Sequence, residues 1–210
     1  PVWVDWFFDE NRRGPCLAMS YAQVGQENSF GWDAMAKGLE HQYRRVAELR
    51  DAGAVQVETL GETGRWFRTK FPTTPESAVV TLSDWKKEGR AGVWYLSAYG
   101  RLNLFATAER ELRIRDWQLF DEDYTERYLV DICTTPASRY DALPVIDSMV
   151  RGSVGRLSET GKIGAVTNVG EHGLAIDWRA DSGNHGRIDL APQTLTLTFA
   201  QSDGELVWSM

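Results

Sequence analysis

The chain is poor in cysteine. Its 210 residues hold two, Cys16 and Cys133, far apart in sequence, which excludes a disulfide-dense scaffold and any paired Cys metal spacing. Either one bridge joins two parts of the chain, or both are free thiols buried as small core residues, and the second is expected. No run approaches the ~18 consecutive apolar residues of a membrane-spanning helix, and no signal peptide is visible. Phosphate loops are missing as well. Gly61-Glu-Thr-Gly64 is too short, and Gly152-Ser-Val-Gly155 lacks the following Lys. There is no nucleophile elbow. The three histidines, His41, His172 and His185, form no metal set. His41 lies on a helix with no second ligand one turn on, and the other two read as turn residues in a Gly-rich region. Basic charge is also lacking. The formal net charge of -7 argues against nucleic acid, whose affinity comes largely from Lys and Arg neutralising phosphates. It fits a neutral or cationic ligand, and plain solubility explains it equally well.

Tryptophan, by contrast, is plentiful, with nine residues. Indoles stack on the apolar C–H face of pyranose rings, and they also fill cores and interfaces. The overall composition, 42% hydrophobic and 25% charged, is that of an ordinary globular protein. The length suits one large domain or two small ones.

The first 71 residues read as an α/β segment. Val2–Phe8 is aromatic and β-branched and is expected to be a strand, with Cys16–Tyr21 a second short one. Trp32, Met35, Leu39, Tyr43, Val46 and Leu49 recur at steps of three and four and predict an amphipathic helix, closed by Gly53 in the left-handed region. Val55–Leu60 alternates and is expected to be the following strand. One such repeat cannot cover both faces of a parallel sheet. Either residues 1–71 decorate the edge of the next domain, or they are the last repeats of a larger (β/α) barrel. The start at Pro1, without Met, favours the barrel.

Phe71-Pro-Thr-Thr-Pro75 is a stiff connector and the expected domain boundary. Residues 76–210 read as a mostly antiparallel β-sandwich of about ten short strands. These are Ala78–Leu82, Val93–Ala98, Arg101–Ala106, Glu111–Trp117, Tyr128–Cys133, Ile163–Thr167, Gly173–Trp178, Arg187–Leu190, Thr194–Phe199 and Glu205–Trp208. Tyr99-Gly100 reads as a hairpin turn, and Tyr140–Arg151 as a short helix or a loop. Asp116–Tyr124, acidic and aromatic, reads as a solvated turn after a strand, with binding of a cation or stacking on a sugar as the alternative. No internal repeat or low-complexity segment is present.

Ligands of α/β units gather where strands open into loops at their carboxyl ends. Glu62, Arg65 and Trp66 lie just past the expected strand Val55–Leu60. Gln23, Gln26, Glu27, Asn28 and Trp32 lead into the helix at the same end of the unit. Glu62 and Glu27 are therefore the candidate catalytic carboxylates, since acid–base hydrolysis needs two at a defined separation. Asn28, Trp32, Arg65 and Trp66 are candidates for holding substrate. A competing role for Glu62 is as a first-turn carboxylate that suits the helix dipole and pairs with Arg65. Glu58 reads as half of a buried ion pair.

Three stretches carry a family resemblance. Tyr21–Trp32, Glu58–Phe67 and Thr74–Ala78 look like the C-terminal part of a group of bacterial proteins that resemble polysaccharide deacetylases and glycosidase-like barrels. Val93-Trp-Tyr95 through Arg115–Asp121 looks like their appended β domain. The resemblance implies a carbohydrate-active enzyme, with a distorted (β/α) barrel followed by a β-sandwich. The deacetylases use an Asp-His-His metal site early in the barrel, and nothing in this chain matches that motif.

The expectation is thus the C-terminal portion of a carbohydrate-active hydrolase of glycosidic or N-acyl bonds. A companion chain or upstream segment would complete the barrel, and an extracellular or periplasmic location is favoured. No cofactor is indicated. The alternatives are a non-catalytic carbohydrate-binding β-sandwich module and a structural or assembly protein.

Overall fold

The computed structural model describes residues 2–25, 30–121, 123–137, 143–147, 155–199 and 205–209. Three helices come first: α1 (Val2–Arg13), α2 (Trp32–Asp51) and α3 (Leu60–Lys70). The strands follow as β1 (Ser77–Thr81), β2 (Ala91–Leu96), β3 (Gly100–Ala106), β4 (Glu111–Leu119), β5 (Leu143–Asp147), β6 (Gly155–Val169), β7 (Gly173–Ala180), β8 (His185–Ala191), β9 (Thr194–Phe199) and β10 (Glu205–Ser209). A four-residue helix, α4 (Arg127–Val130), lies between β4 and β5.

Every strand pairing among the described residues is antiparallel. Nine strands form one path in near-sequential order, and β5 pairs beside it on β4. The edge of β4 is shared, with Glu111–Ile114 facing β6 and Asp116–Leu119 facing β5. The long β6 then continues past β4 to pair with β7 through Gly161–Val169. It thereby joins the β1–β4 half of the sheet to the β7–β10 half.

The two halves share one core. Tyr95, Leu102, Leu104, Leu112, Ile114 and Trp117 from the first half pack in a single cluster with Leu174, Ile176, Trp178, Ile188, Leu190 and Leu195 from the second. Inward and outward residues alternate along the strands, as in β1, where Ala78 and Val80 are buried and Val79 is exposed. Each large apolar side chain removed from water contributes about 1.5–3 kcal/mol, so this cluster dominates stability. Polar ties close the other end of the halves. The Tyr95 hydroxyl donates to the His172 carbonyl at 2.6 Å, and Ser97 donates to the Pro192 carbonyl at 3.0 Å. The Glu76 carboxylate meets His172 Nδ1 at 2.6 Å. Burial, and then the neighbouring Glu76 charge, push the Tyr95 hydroxyl above its ordinary pKa.

The helices form a thinner layer with a small core of Val4, Phe8 and Leu49. Val2–Phe8 is helical, not a strand. Its aromatic composition suggested β structure, but Val4 and Phe8 are one turn apart and dock on α2, and Trp3 stacks on Phe7 at 5.3 Å between ring centroids. Polar contacts add to this docking, with His41 Nε2 3.0 Å from Asp5 and Arg45 bonded to Asp9 at 3.3 Å. The α2 helix follows its expected apolar periodicity, and Gly53 takes φ +69° beyond its end.

Val55–Leu60 is also not a strand. Residues 55–59 make no strand pairing and α3 already starts at Leu60. An alternating segment becomes a strand only when a neighbour offers its backbone groups, and none of the described residues does so here. Cys16–Tyr21 contributes a single bridge, Leu17 to Ser77. Tyr128–Cys133, expected as a strand, contains α4 instead. The Tyr140–Arg151 stretch holds β5, and its flanks lie outside the described residues. Among the described residues before Ser77 there are three helices and no strand, so the barrel expected from the sequence is not seen. Both thiols are free. Cys16 is half-buried but Cys133 is exposed, contrary to the expectation of two buried residues.

The crossover in β6 depends on Gly161. A Cβ there would sit 2.2 Å from the Arg179 carbonyl oxygen and 2.7 Å from the Trp178 ring. Gly161→Ala is expected to destabilise by about 1–3 kcal/mol through overpacking. Gly38→Ala, in an open helical position with no atom within 4 Å, should stabilise by about 0.5–1 kcal/mol. Thermal unfolding of both variants checks this, and the reverse ranking would contradict the role given to the crossover.

Candidate functional site

Glu62 occupies the third position of α3 and completes a capping box. Thr59 Oγ1 accepts from the Glu62 backbone N–H at 3.3 Å, while the Glu62 carboxylate accepts from the Thr59 N–H and from its hydroxyl, each at 2.8 Å. These two donors, and then the Arg65 charge, hold the carboxyl below its ordinary value. A general acid needs the opposite shift, so the geometry around Glu62 serves the helix terminus. Glu58 is exposed and accepts from Thr63 at 3.0 Å, so it is not the buried ion-pair partner expected.

The other candidates are dispersed. Trp66 is exposed, with its ring edge-on to Phe71 at 5.7 Å and the Lys70 ammonium 5.3 Å above it. Trp32 is exposed at the first position of α2. Arg65 lies over the first turn of α3 beside Gly61. Glu27 and Asn28 lie outside the described residues.

The opposite face of α3 lines a cleft of about 580 Å³. Leu60, Thr63, Gly64, Phe67 and Arg68 recur at helical spacing and form one wall. Residues Met19–Tyr21 form a second, and Thr74, Pro75 and the strand β1 from Ser77 to Val79 close the third side. Backbone bonds fix this arrangement: Ala18 N–H donates to the Glu76 carbonyl and Ala78 N–H to the Cys16 carbonyl, both at 3.1 Å. Gly64 leaves the wall open, since a Cβ there would meet nothing within 4 Å.

The cleft lining combines apolar surface with the hydroxyls of Ser20, Tyr21, Thr63, Thr74 and Ser77 and one guanidinium, Arg68. It contains no carboxylate, imidazole or thiol. Such a surface can hold a polyol by stacking and hydrogen bonding, but it supplies no acid–base pair of its own. Among the described residues no group of His, Cys, Asp and Glu is placed to hold a metal ion.

The sequence signal for this cleft was present in the Leu60–Thr63–Gly64–Phe67–Arg68 spacing. The charged residues Glu62 and Arg65 of the same segment carry the stronger chemical signal in the sequence and mask it. Glu62 and Arg65 lie outside the cleft lining, whereas Arg68 is part of it. Compared with protein-family models, curated proteins and solved structures, the chain matches none.

Thr59→Ala should weaken α3 by about 1 kcal/mol, seen as faster hydrogen exchange of its backbone amides. The lowered pKa of Glu62 makes its contribution present above the unfolded-state value. That contribution is lost as pH falls through the depressed folded value. Exchange protection of α3 should therefore drop on acidification, and Glu62→Gln should abolish that drop.

Proposed function

We propose that the chain is the C-terminal portion of a carbohydrate-active enzyme, in which a β-sandwich carries an α-helical layer and a sugar binds in the cleft between α3 and β1. The observation that carries this reading is the cleft itself, with Tyr21 and Phe67 as aromatic surfaces and the hydroxyl residues Ser20, Thr63, Thr74 and Ser77 around them. Aromatic faces match the apolar side of a pyranose, and hydroxyl side chains exchange hydrogen bonds with its rim.

Residues 1–71 are proposed to be the end of a (β/α) barrel completed by an upstream segment or companion chain. Two features support this. Trp3, Trp32, Tyr43 and Trp66 are exposed on the helices, and Val55–Thr59 has no strand neighbour among the described residues. An added parallel strand beside residues 55–59 would satisfy their backbone groups and cover part of that apolar surface. The catalytic groups would then come from the completing part, because the cleft lining holds none. Among the described residues no helix is long and apolar enough to cross a membrane.

Calorimetry of the 210-residue chain with neutral oligosaccharides tests the proposal. Binding without turnover is expected, and Tyr21→Ala and Phe67→Ala should each weaken it at least tenfold while leaving the thermal midpoint nearly unchanged. Absence of sugar binding, or binding indifferent to both substitutions, would remove the cleft from consideration. Hydrolysis by the isolated chain that is lost in Glu62→Ala would instead return Glu62 to a catalytic role.

A further inference from the structure

The outward face of β2–β4 carries a second set of chemistry-bearing side chains, separate from the cleft lining. Trp94, Asn103 and Asp116 form one row across three strands, with Trp94 paired in register to Asn103 and Asn103 to Asp116. A bulge skips Arg115 between the Asn103–Asp116 and Leu104–Ile114 pairs. Arg115 and Asp116 therefore both face outward, where strict alternation would have turned one of them into the core.

The bulge fixes one guanidinium in an unusual state. Arg115 Nε donates to Asn103 Oδ1 at 3.0 Å, and its guanidinium lies 4.4 Å from the centre of the Phe105 ring. Asn103 is itself buried, and its amide donates to the Val93 and Leu104 carbonyls at 3.3 and 3.5 Å. Arg115 is thus held by its Nε and its flat face, leaving the two terminal nitrogens with no partner among the described residues. The neighbouring cations differ. Arg101 binds Asp116 through two nitrogens, at 2.9 and 3.1 Å, and Arg113 is bonded to Glu111. Of the three guanidiniums named on this plate, Arg101 and Arg113 each meet a carboxylate and Arg115 meets an amide oxygen and a ring face.

We propose that this face binds acidic oligosaccharides, with Arg115 taking the carboxylate of a uronic acid residue and Trp94 stacking on a sugar ring. A guanidinium held in plane presents parallel N–H donors that match a carboxylate's two oxygens. Trp94 is half-buried and stands in the same row, with the Arg101 guanidinium 6.0 Å from its ring. Arg101 and Gln118, both bonded to Asp116, border the plate with polar groups suited to sugar hydroxyls. Because Val79 pairs in register with Trp94 and also lines the cleft, the plate and the cleft open on the same side of the sheet. The proposal stands on the plate alone and does not need the cleft to bind sugar.

The test titrates the full 210-residue chain with a uronic acid tetrasaccharide and with its carboxyl-reduced, neutral counterpart. The acidic sugar should bind at least tenfold more tightly, and the difference should shrink with added salt. Arg115→Gln should abolish the preference, Arg115→Lys should restore only part of it, and Tyr21→Ala in the cleft should leave it intact. Trp94→Ala should weaken binding of the acidic sugar, with Trp94→Phe as the partner variant if the alanine chain fails to fold. Equal affinity for the two sugars, or a preference that survives Arg115→Gln, would overturn the proposal. An acidic peptide that binds more tightly than the uronic sugar with the same dependence on Arg115 would overturn it too. Loss of neutral-sugar binding in Tyr21→Ala with the acidic preference retained would separate this site from the cleft.

Discussion

The structure turns on one strand that belongs to two half-sheets. β6 leaves β4 after Thr160 and joins β7 from Gly161 onward, and the bend between them folds the sheet so that its halves share a core. Only a residue without a side chain fits there, because the Arg179 and Ala180 backbone passes directly over the Cα. Trp178, among the largest fully buried side chains, packs against that point. A side chain at 161 would push on both the ladder and the core. The tyrosine, glutamate and serine ties at the far end of the sandwich then secure halves whose facing has already been set by this bend.

The helical layer depends on the β domain more than on itself. Its own buried core contains three residues, too few to offset the entropy of ordering some seventy residues. Its fixed points are on the sheet: the Leu17–Ser77 bridge, the Trp6 indole donating to the Ser83 carbonyl at 2.9 Å, and Gly14 pressed against Val80. These anchors hold residues 14–21 along the open edge of β1, and that placement creates the cleft wall opposite α3. The cleft is thus a product of how the two layers meet, and the plate is a product of a bulge inside one of them.

Much of the β region was readable because strand periodicity is local. Thr194–Phe199 alternates strictly, and its strand has those bounds. The strands at 77–81, 91–96 and 100–106 fall within a few residues of the runs expected from their β-branched and aromatic content. Misreadings concentrate where the outcome depends on a neighbour. Val2–Phe8 has strand composition but helical spacing, and α2 decides between them by offering a docking face. Val55–Thr59 has strand spacing but no ladder. The strand expected at Glu111–Trp117 is present and runs on to Leu119, with Asp116 bonded to Arg101 and Trp117 buried in the core, so the turn read from Asp116 onward starts only after it. Charge at that position could be read from sequence, but the buried partner could not.

By itself the sequence determined the elements whose pattern is contained within a dozen or so residues: the amphipathic α2, the left-handed Gly53 beyond its end and most of the strands. Short-range backbone preference and side-chain alternation suffice for these. Tertiary structure alone decided which face of α3 meets β1, which glycine carries the crossover, and which arginine on the β2–β4 face bonds to the Asn103 amide. Those outcomes rest on contacts between residues tens of positions apart. Their register is set by a bulge and a shared core, which no local pattern encodes.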